Sequence, residues 1–349
     1  MGTAAMNDAA IGLAVIGAGY WGPNLVRNAQ ATPELHLRYL CDLDVEKAQR
    51  VLGQYSTVRA TASLDEVLAD PDVHAVAIAT PAATHLPVAL AALEAGKHVL
   101  VEKPLAANFE DGLKLVETAE QRGLTLMLDH TFAYTSSVQH LRKIIRAGEL
   151  GDIQYIDSVR INLGLVQPDV DVLWDLAPHD LSIFEAILPD DVHPVEVAAH
   201  GSDPIGAGVA CVGHLTVRLS NGAITHVHVN WLSPTKIRTM VIGGSQRTVV
   251  WDDNNPAQRL SIYDRGVDKS PEQQKISYRT GDMVAPALVE REALRTMMAE
   301  FAASITEKRA PLTDGRAGLR VLAVLEAASE SLRAGGVFVP VQQVEGKVS

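Results

Sequence analysis

The chain has 349 residues, enough for two ordinary domains, and its 47% apolar and 21% charged residues are the balance of a globular protein with a sizeable core. A formal charge of -12 repels phosphate backbones and anionic lipid, which argues against nucleic-acid and membrane partners on bulk electrostatics. Cys41 and Cys211 are the two cysteines, and without a CxxC spacing they suit reduced thiols rather than a disulfide framework.

The first apolar stretch, 9–26, carries no charge, but glycines interrupt it and no Lys or Arg precedes it. A secretion signal needs a basic start and a continuous apolar core, and a membrane helix needs about 20 mainly apolar residues. The stretch therefore reads as a strand and a glycine turn, and the protein as cytoplasmic. From Ile11 the pattern alternates. Fully apolar strands are predicted at Ile11–Ile16, His36–Cys41, Ala75–Ala79, His98–Val101 and Leu124–Leu128. Helices are predicted between them at Pro23–Gln30, Val45–Leu52, Leu64–Ala69, Pro87–Ala95 and Phe109–Gln121. Buried strands alternating with helices imply a parallel sheet covered by helices on both faces.

After Thr131 the rhythm changes. Helices are expected at Ser137–Ala147 and from about Asp175 to Leu188, with a strand at Ile153–Asn162. Strands follow at Val195–His200, Gly208–Leu219, Ala223–Trp231, Ile237–Ile242, Thr248–Trp251 and Leu260–Tyr263. Asn221-Gly222 is a hairpin signal, since both residues accept positive φ. Helices at Leu288–Glu307 and Gly315–Arg333 close the chain. The expected organisation is an α/β dinucleotide-binding domain over 1–132 and an α+β domain with a large, mostly antiparallel sheet over 133–349.

Gly17-Ala-Gly19-Tyr20-Trp21-Gly22 is a G-x-G-x-x-G loop after a strand and before a helix, and Asp42 follows at the end of the next strand. Gly17 allows the tight turn, Gly19 lets the backbone approach a pyrophosphate, and Gly22 allows close helix–strand packing. The N–H groups at the helix start face the phosphates. Asp42 takes the adenosine ribose hydroxyls and would repel a 2′-phosphate, and Leu43 and Asp44 offer no Arg to hold one. This is a Rossmann domain, with NAD favoured over NADP as cofactor.

A second motif follows in Gly96-Lys-His-Val-Leu-Val-Glu102-Lys103-Pro104. With Thr80-Pro81 and His85 upstream and Trp174-Asp175-Leu-Ala-Pro-His179-Asp180 downstream, the chain resembles the Gfo/Idh/MocA oxidoreductases over nearly its whole length. The resemblance implies a Rossmann domain followed by an open-faced sheet domain for substrate binding and oligomerisation. It also implies that Tyr20, Trp21, Thr80, Pro81, His85, Glu102 and Lys103 join the glycines and Asp42 around the cofactor. Lys103 would contact the reacting substrate oxygen, His179 would be general acid or base, and Asp175 its partner or a substrate ligand. Two positions depart from the family pattern: Ala177 stands where Gly is common, and Ser182 where Asp is common.

Hydride transfer from a carbinol carbon requires loss of the hydroxyl proton, which a His handles near neutral pH. Lys103 as a cation would stabilise alkoxide-like charge, or as a desolvated amine would take the proton. Plainer roles stand beside these. Lys103 before Pro104 fits an exposed loop residue, Asp175 fits an N-cap because Pro178 belongs in a first helical turn, and Trp174 fits packing or a wall of a sugar pocket. His226 and His228 share a strand face with Asn230, but no third ligand is near in sequence, so no metal is expected. The expected function is oxidation of a sugar, cyclitol or nucleotide-sugar secondary alcohol, or the reverse reduction, by a homodimer or homotetramer assembled through the second sheet. Alternatives are transient use of tightly held NAD for elimination or glycoside cleavage, and a non-catalytic NAD-binding sensor.

Overall fold

The computed structural model describes residues 10–167, 170–269 and 276–345. The chain divides into two compact units. In the first, among the described residues, six strands form a parallel sheet: β1 (Ile11–Ile16), β2 (Leu35–Cys41), β3 (Arg59–Thr61), β4 (Ala75–Ile78), β5 (His98–Glu102) and β6 (Leu126–Asp129). Their order is β3-β2-β1-β4-β5-β6, the doubly wound arrangement expected of a Rossmann domain. Every residue of β1 and β4 is buried, as strands with helices on both faces must be. The helices are α1 (Gly22–Ala31), α2 (Val45–Leu52), α3 (Leu64–Ala69), α4 (His85–Glu94) and α5 (Phe109–Arg122). Asp44, Ser63 and Asn108 cap α2, α3 and α5 by accepting backbone N–H groups, and Gly123 ends α5 in the left-handed region. The edge strand β3 escapes sequence reading because it is three residues long and has no apolar run.

The second unit holds α6 (Ser136–Arg146), β7 (Ile153–Leu163), α7 (Val172–Ile187), β8 (Pro194–Ser202), β9 (Val212–Leu219), β10 (Ile224–Asn230), β11 (Leu232–Gly244), β12 (Thr248–Asp252), β13 (Leu260–Tyr263), β14 (Gly266–Lys269), β15 (Ile276–Arg279) and β16 (Met283–Val284). With β17 (Val339–Pro340) from the C-terminus, nine of its strands form one sheet in the order β16-β13-β12-β11-β7-β10-β9-β8-β17. β7 and β10 run parallel, and the other neighbours are antiparallel. Along β10, Thr225, Val227 and Val229 are buried on the side where α7 packs. His226, His228 and Asn230 alternate onto the other, open face.

Two local expectations change. Helix α7 starts three residues earlier than predicted, because Asp171 rather than Asp175 caps it by accepting from the Leu173 and Trp174 N–H groups. Pro178 therefore lies inside the helix, where its lack of an N–H leaves the Trp174 carbonyl without the usual helical donor. In the β9–β10 hairpin only Gly222 takes a positive φ, of 86°. Asn221 serves the turn with its side chain instead, accepting from Ala223 N at 3.0 Å and donating to Ile153 O at 3.0 Å.

The C-terminal segment departs from a single division near Phe132, since Arg291–Leu322 belongs to the first unit. It contains α8 (Ala293–Glu307) and the first half of α9 (Gly315–Arg333). Met297, Met298 and Phe301 of α8 are completely buried, and Glu292 just ahead of them is bound by Arg27 and Asn28 of α1. Leu128 of β6 and Thr313 exchange hydrogen bonds of 2.7 and 2.8 Å. The rest of α9 belongs to the second unit, where Ser329 accepts from the Trp174 indole and Ser331 from Ala199 N. No helix of the described residues is long and apolar enough to cross a membrane.

Candidate active site

In the first unit the C-terminal ends of the strands carry the motif residues. Gly17 leaves β1 with φ 102°, and a Cβ there would lie 2.7 Å from the Ala79 carbonyl oxygen. A Cβ on Gly22 would lie 2.2 Å from Gly17 O, so the helix start closes on the loop itself rather than on a strand side chain. Gly19 faces open space, with nothing within 4 Å of where its Cβ would be. The first turn of α1 has no side-chain cap and no acidic residue, and Pro23 occupies its start. Asn24 and Leu25 N–H both return to Trp21 O, so it is the Gly22 N–H and the bare face at Gly19 that make a cradle fitting a pyrophosphate. Asp42 braces this cradle: its Oδ2 accepts from Ala18 N at 2.6 Å and its Oδ1 from Asp44 N at 2.9 Å. Tyr20 is 92% exposed on the loop, whereas Trp21 turns inward and donates from Nε1 to Asp129 Oδ2 at 2.7 Å.

His85, expected near the cofactor, lies between two motif loops. It is buried, with Nδ1 2.8 Å from Pro104 O and Nε2 2.9 Å from Thr80 O. Both partners only accept and a neutral ring has one N–H, so His85 donates to one carbonyl and packs against the other, between the Thr80-Pro81 loop and the Glu102-Lys103-Pro104 loop. Burial pushes His85 below the ordinary imidazole value, and the two carbonyls oppose that shift. Glu102 is also turned inward. It is the register partner of Asp129 on β6, and burial followed by the Asp129 charge pushes it well above the usual carboxylate range. Asp129 also accepts from Thr131 Oγ1. His130 beside it is fully buried with neither ring nitrogen partnered, and burial pushes it down to about 4. Lys103, half-exposed, follows Glu102 through a turn whose Lys103–Pro104 peptide is cis.

In the second unit Asp175 and His179 lie four residues apart on α7, and hence on one face of the helix. Both are half-buried. Asp175 Oδ2 accepts from the indole Nε1 of Trp231 at 2.9 Å, and the backbone of the buried Trp231 bonds Gly164 and Cys211. Asp180 is sealed inside. It accepts from Arg160 Nε at 2.7 Å, Arg160 Nη2 at 3.1 Å and Ser158 Oγ at 2.8 Å, with both charged side chains 1% exposed. This bidentate clamp fixes the turn carrying His179 to β7. Trp174 is held by Ser329 through its indole. His226, for which the sequence offers no nearby carboxylate, meets Asp157 across β7 at 3.0 Å.

Comparison with known proteins places this geometry. Residues 11–130 match the family model described as Gfo/Idh/MocA oxidoreductase family, NAD-binding Rossmann fold, and residues 138–250 match the model of the Gfo/Idh/MocA C-terminal domain. The UDP-N-acetylglucosamine 3-dehydrogenase of Acidithiobacillus ferrooxidans is 31% identical over 312 residues, 88% of this chain and 93% of that protein. The chain belongs to the Gfo/Idh/MocA oxidoreductase family. A solved structure of that dehydrogenase has a TM-score of 0.78 at 29% identity, covering 93% of this chain and 98% of the other. GenD2 from gentamicin A biosynthesis, solved in complex with NAD, has a TM-score of 0.80 at 25% identity over 96% and 97% of the two chains. The protein is therefore an NAD-binding oxidoreductase with the two-part fold of the family. Its two departures are both buried: Ala177 is sealed in the core, and Ser182 is 2% exposed and donates to His179 O. Neither side chain reaches solvent, so Ser182 cannot replace an aspartate as a substrate ligand. Asp129 and the Arg160–Asp180 clamp are the residues that sequence reading missed. The strand order puts Asp129 beside Glu102, and a Glu at the end of one strand with an Asp at the end of the next was the available signal.

Proposed function

We propose that this protein is an NAD-dependent dehydrogenase, or ketoreductase in reverse, acting on a secondary alcohol of a sugar, cyclitol or nucleotide-linked sugar. The observation that carries the reading is the presence of Lys103 after β5 and of Asp175 and His179 on one face of α7, in a chain similar from end to end to a UDP-N-acetylglucosamine 3-dehydrogenase. NAD held by Gly17, Gly19, Gly22, Tyr20, Trp21, Asp42, Thr80 and Pro81 supplies the hydride acceptor. His179 takes the hydroxyl proton as the carbinol is oxidised, and returns it to the carbonyl oxygen in the reverse direction. Asp175, its carboxylate steadied by Trp231 one helical turn from His179, orients the imidazole. Lys103 lowers the cost of negative charge on the reacting oxygen.

A second copy of the chain docks on the open face of the nine-stranded sheet in this reading. That face carries no helix among the described residues and presents Tyr155 and Ile224, each 39% exposed, beside Val159 and Val241. The two free, buried cysteines suit a reducing compartment, and we assign the enzyme to the cytoplasm. The test is a screen of inositols, free sugars and nucleotide sugars with NAD and NADP, following reduced nicotinamide, with solution mass measured alongside. Net NADH formation with a member of these classes is expected. Absence of turnover with all of them defeats the substrate class, and a monomer at all concentrations defeats the assembly.

A further inference from the structure

Glu102 and Asp129 end adjacent parallel strands and are register partners across β5 and β6. Register partners on parallel strands project to the same face, so the two carboxyl groups lie side by side in a site closed to solvent at Glu102 Oε1, where one shared proton costs less than two charges. Asp129 already receives the Trp21 indole N–H on Oδ2 and the Thr131 hydroxyl on Oδ1. Those two donors outweigh the one Lys103 backbone N–H that Glu102 receives, so Glu102 is the partner that carries the proton. The Glu102 Oε1 is sealed from solvent without a hydrogen-bond partner, an arrangement a neutral acid tolerates far better than an anion.

We propose that Glu102 is a positioning residue that works as a neutral acid, donating to Asp129 so that the pair ties Trp21 of the glycine loop to the loop bearing Lys103. One negative charge on the pair holds the indole and the acid together. A second charge would set two buried carboxylates against each other and release both loops. The groups facing the pair are few. Lys103 comes from its own loop, His130 from the end of β6 stays neutral in its buried site, and Trp21 brings no charge. Tyr134 reaches Asp129 only electrostatically and is itself pushed up by burial. The catalytic consequence rests on the reading of Lys103 given above; the protonation of Glu102 does not.

The experiment has two arms on the full-length protein. Infrared spectroscopy at neutral pH should show a buried protonated-carboxyl band that is absent in Glu102→Gln and shifted in frequency in Asp129→Asn, where burial keeps the acid neutral but its acceptor is an amide oxygen instead of a carboxylate. In kinetics, Glu102→Gln keeps a donor to Asp129 and cannot ionise. It should lower neutral-pH kcat/KM by less than about fivefold and move the alkaline limb up by about one pH unit or more. Glu102→Ala should lose about tenfold or more. A missing band in the wild type overturns the proposal. So does an alkaline limb in Glu102→Gln that stays in place or moves down, as it would if Lys103 alone set it. If no substrate turns over, the infrared arm still decides Glu102 while the functional reading fails separately. Should Glu102→Gln not fold, Asp129→Asn and the wild-type pH titration of the band carry the same decision.

Discussion

The two units hold their functional side chains in opposite ways. In the first, Gly17, Asp42, Thr80 and Lys103 sit on turns that leave the ends of parallel strands, and contacts from one turn to the next fix them, such as Asp42 on Ala18 N and His85 between two carbonyls. In the second, Asp175 and His179 ride on a helix lying on a sheet, and contacts from the helix to the strands fix them: Asp180 on Arg160 of β7 and Asp175 on Trp231 just past the end of β10. Turns at strand ends can be adjusted one at a time. A helix clamped by one ion pair moves as a whole. The two halves should therefore fail differently.

The largest expected effect breaks the clamp. Asp180→Ala leaves the Arg160 guanidinium buried without its carboxylate, and removing one partner of a buried pair costs about 3–5 kcal/mol. Thermal unfolding should show this as a large fall in Tm, and NAD affinity measured below the transition should stay within a few-fold. An equal loss of NAD affinity would erase the contrast between the units. Next come the reacting groups. Lys103→Ala and His179→Ala should each lower kcat at least about 10²-fold, or about 2.7 kcal/mol, without a matching loss of NAD binding or Tm. Wild-type turnover in both would remove the assignment.

That contrast also decides what could be read from the sequence. The glycine loop, Asp42, Thr80-Pro81 and the E-K-P run are legible because each is a contiguous stretch whose residues act within one turn. Asp175 and His179 are legible only through the resemblance of their segment to the family's, and the cap lies elsewhere than the sequence suggests. Pro178 was taken to mark a first turn, while Asp171 and the burial of Val172 and Leu173 set the real start. Trp231 on Asp175 and Arg160 on Asp180 bridge 56 and 20 residues, and only the sheet register brings them together. The return of Arg291–Leu322 to the first unit was hidden for the same reason. A helical period shows that α8 has an apolar face, not which surface covers it.

A third test sharpens the comparison through pH. His130 of the first unit is fully buried and pushed down to about 4, against 6.5 for an ordinary imidazole. Below 6.5 the unfolded chain takes up a proton that the folded chain refuses, so this contribution is present above pH 6.5 and is lost as pH falls towards 4. At pH 5 the loss is about 2 kcal/mol. The Tm of the wild type should fall between pH 7 and pH 5 by more than that of His130→Leu, which fills similar space without a titrating ring. In the second unit His214 and His228, stacked at 4.2 Å on the open face, are also shifted down, by burial first and by a neighbouring histidine second. They are largely solvated, so His214→Gln should change the acid response much less. Equal effects of the two variants would mean that the first unit's interior is not where acid acts.

The smallest effect concerns the residue that sets cofactor choice. Asp42 is not simply a ribose ligand waiting at a strand end, because both of its oxygens already accept backbone N–H groups, from Ala18 and Asp44. Each carboxylate oxygen has a second lone pair to offer, so bracing the loop and receiving ribose hydroxyls are compatible. Asp42→Ala removes both roles and should weaken NAD binding about tenfold, the order of one hydrogen bond to a charged group. NADP binding should weaken less or improve, because the charge that opposes a 2′-phosphate is gone while the loop loses its brace. Asp42→Asn separates the two: it keeps an acceptor for one N–H and drops the charge. If Asp42→Asn narrows the NAD preference while preserving NAD affinity better than Asp42→Ala, charge sets the selectivity and the brace sets the affinity. If neither variant moves the NAD/NADP ratio, selectivity lies elsewhere on the loop.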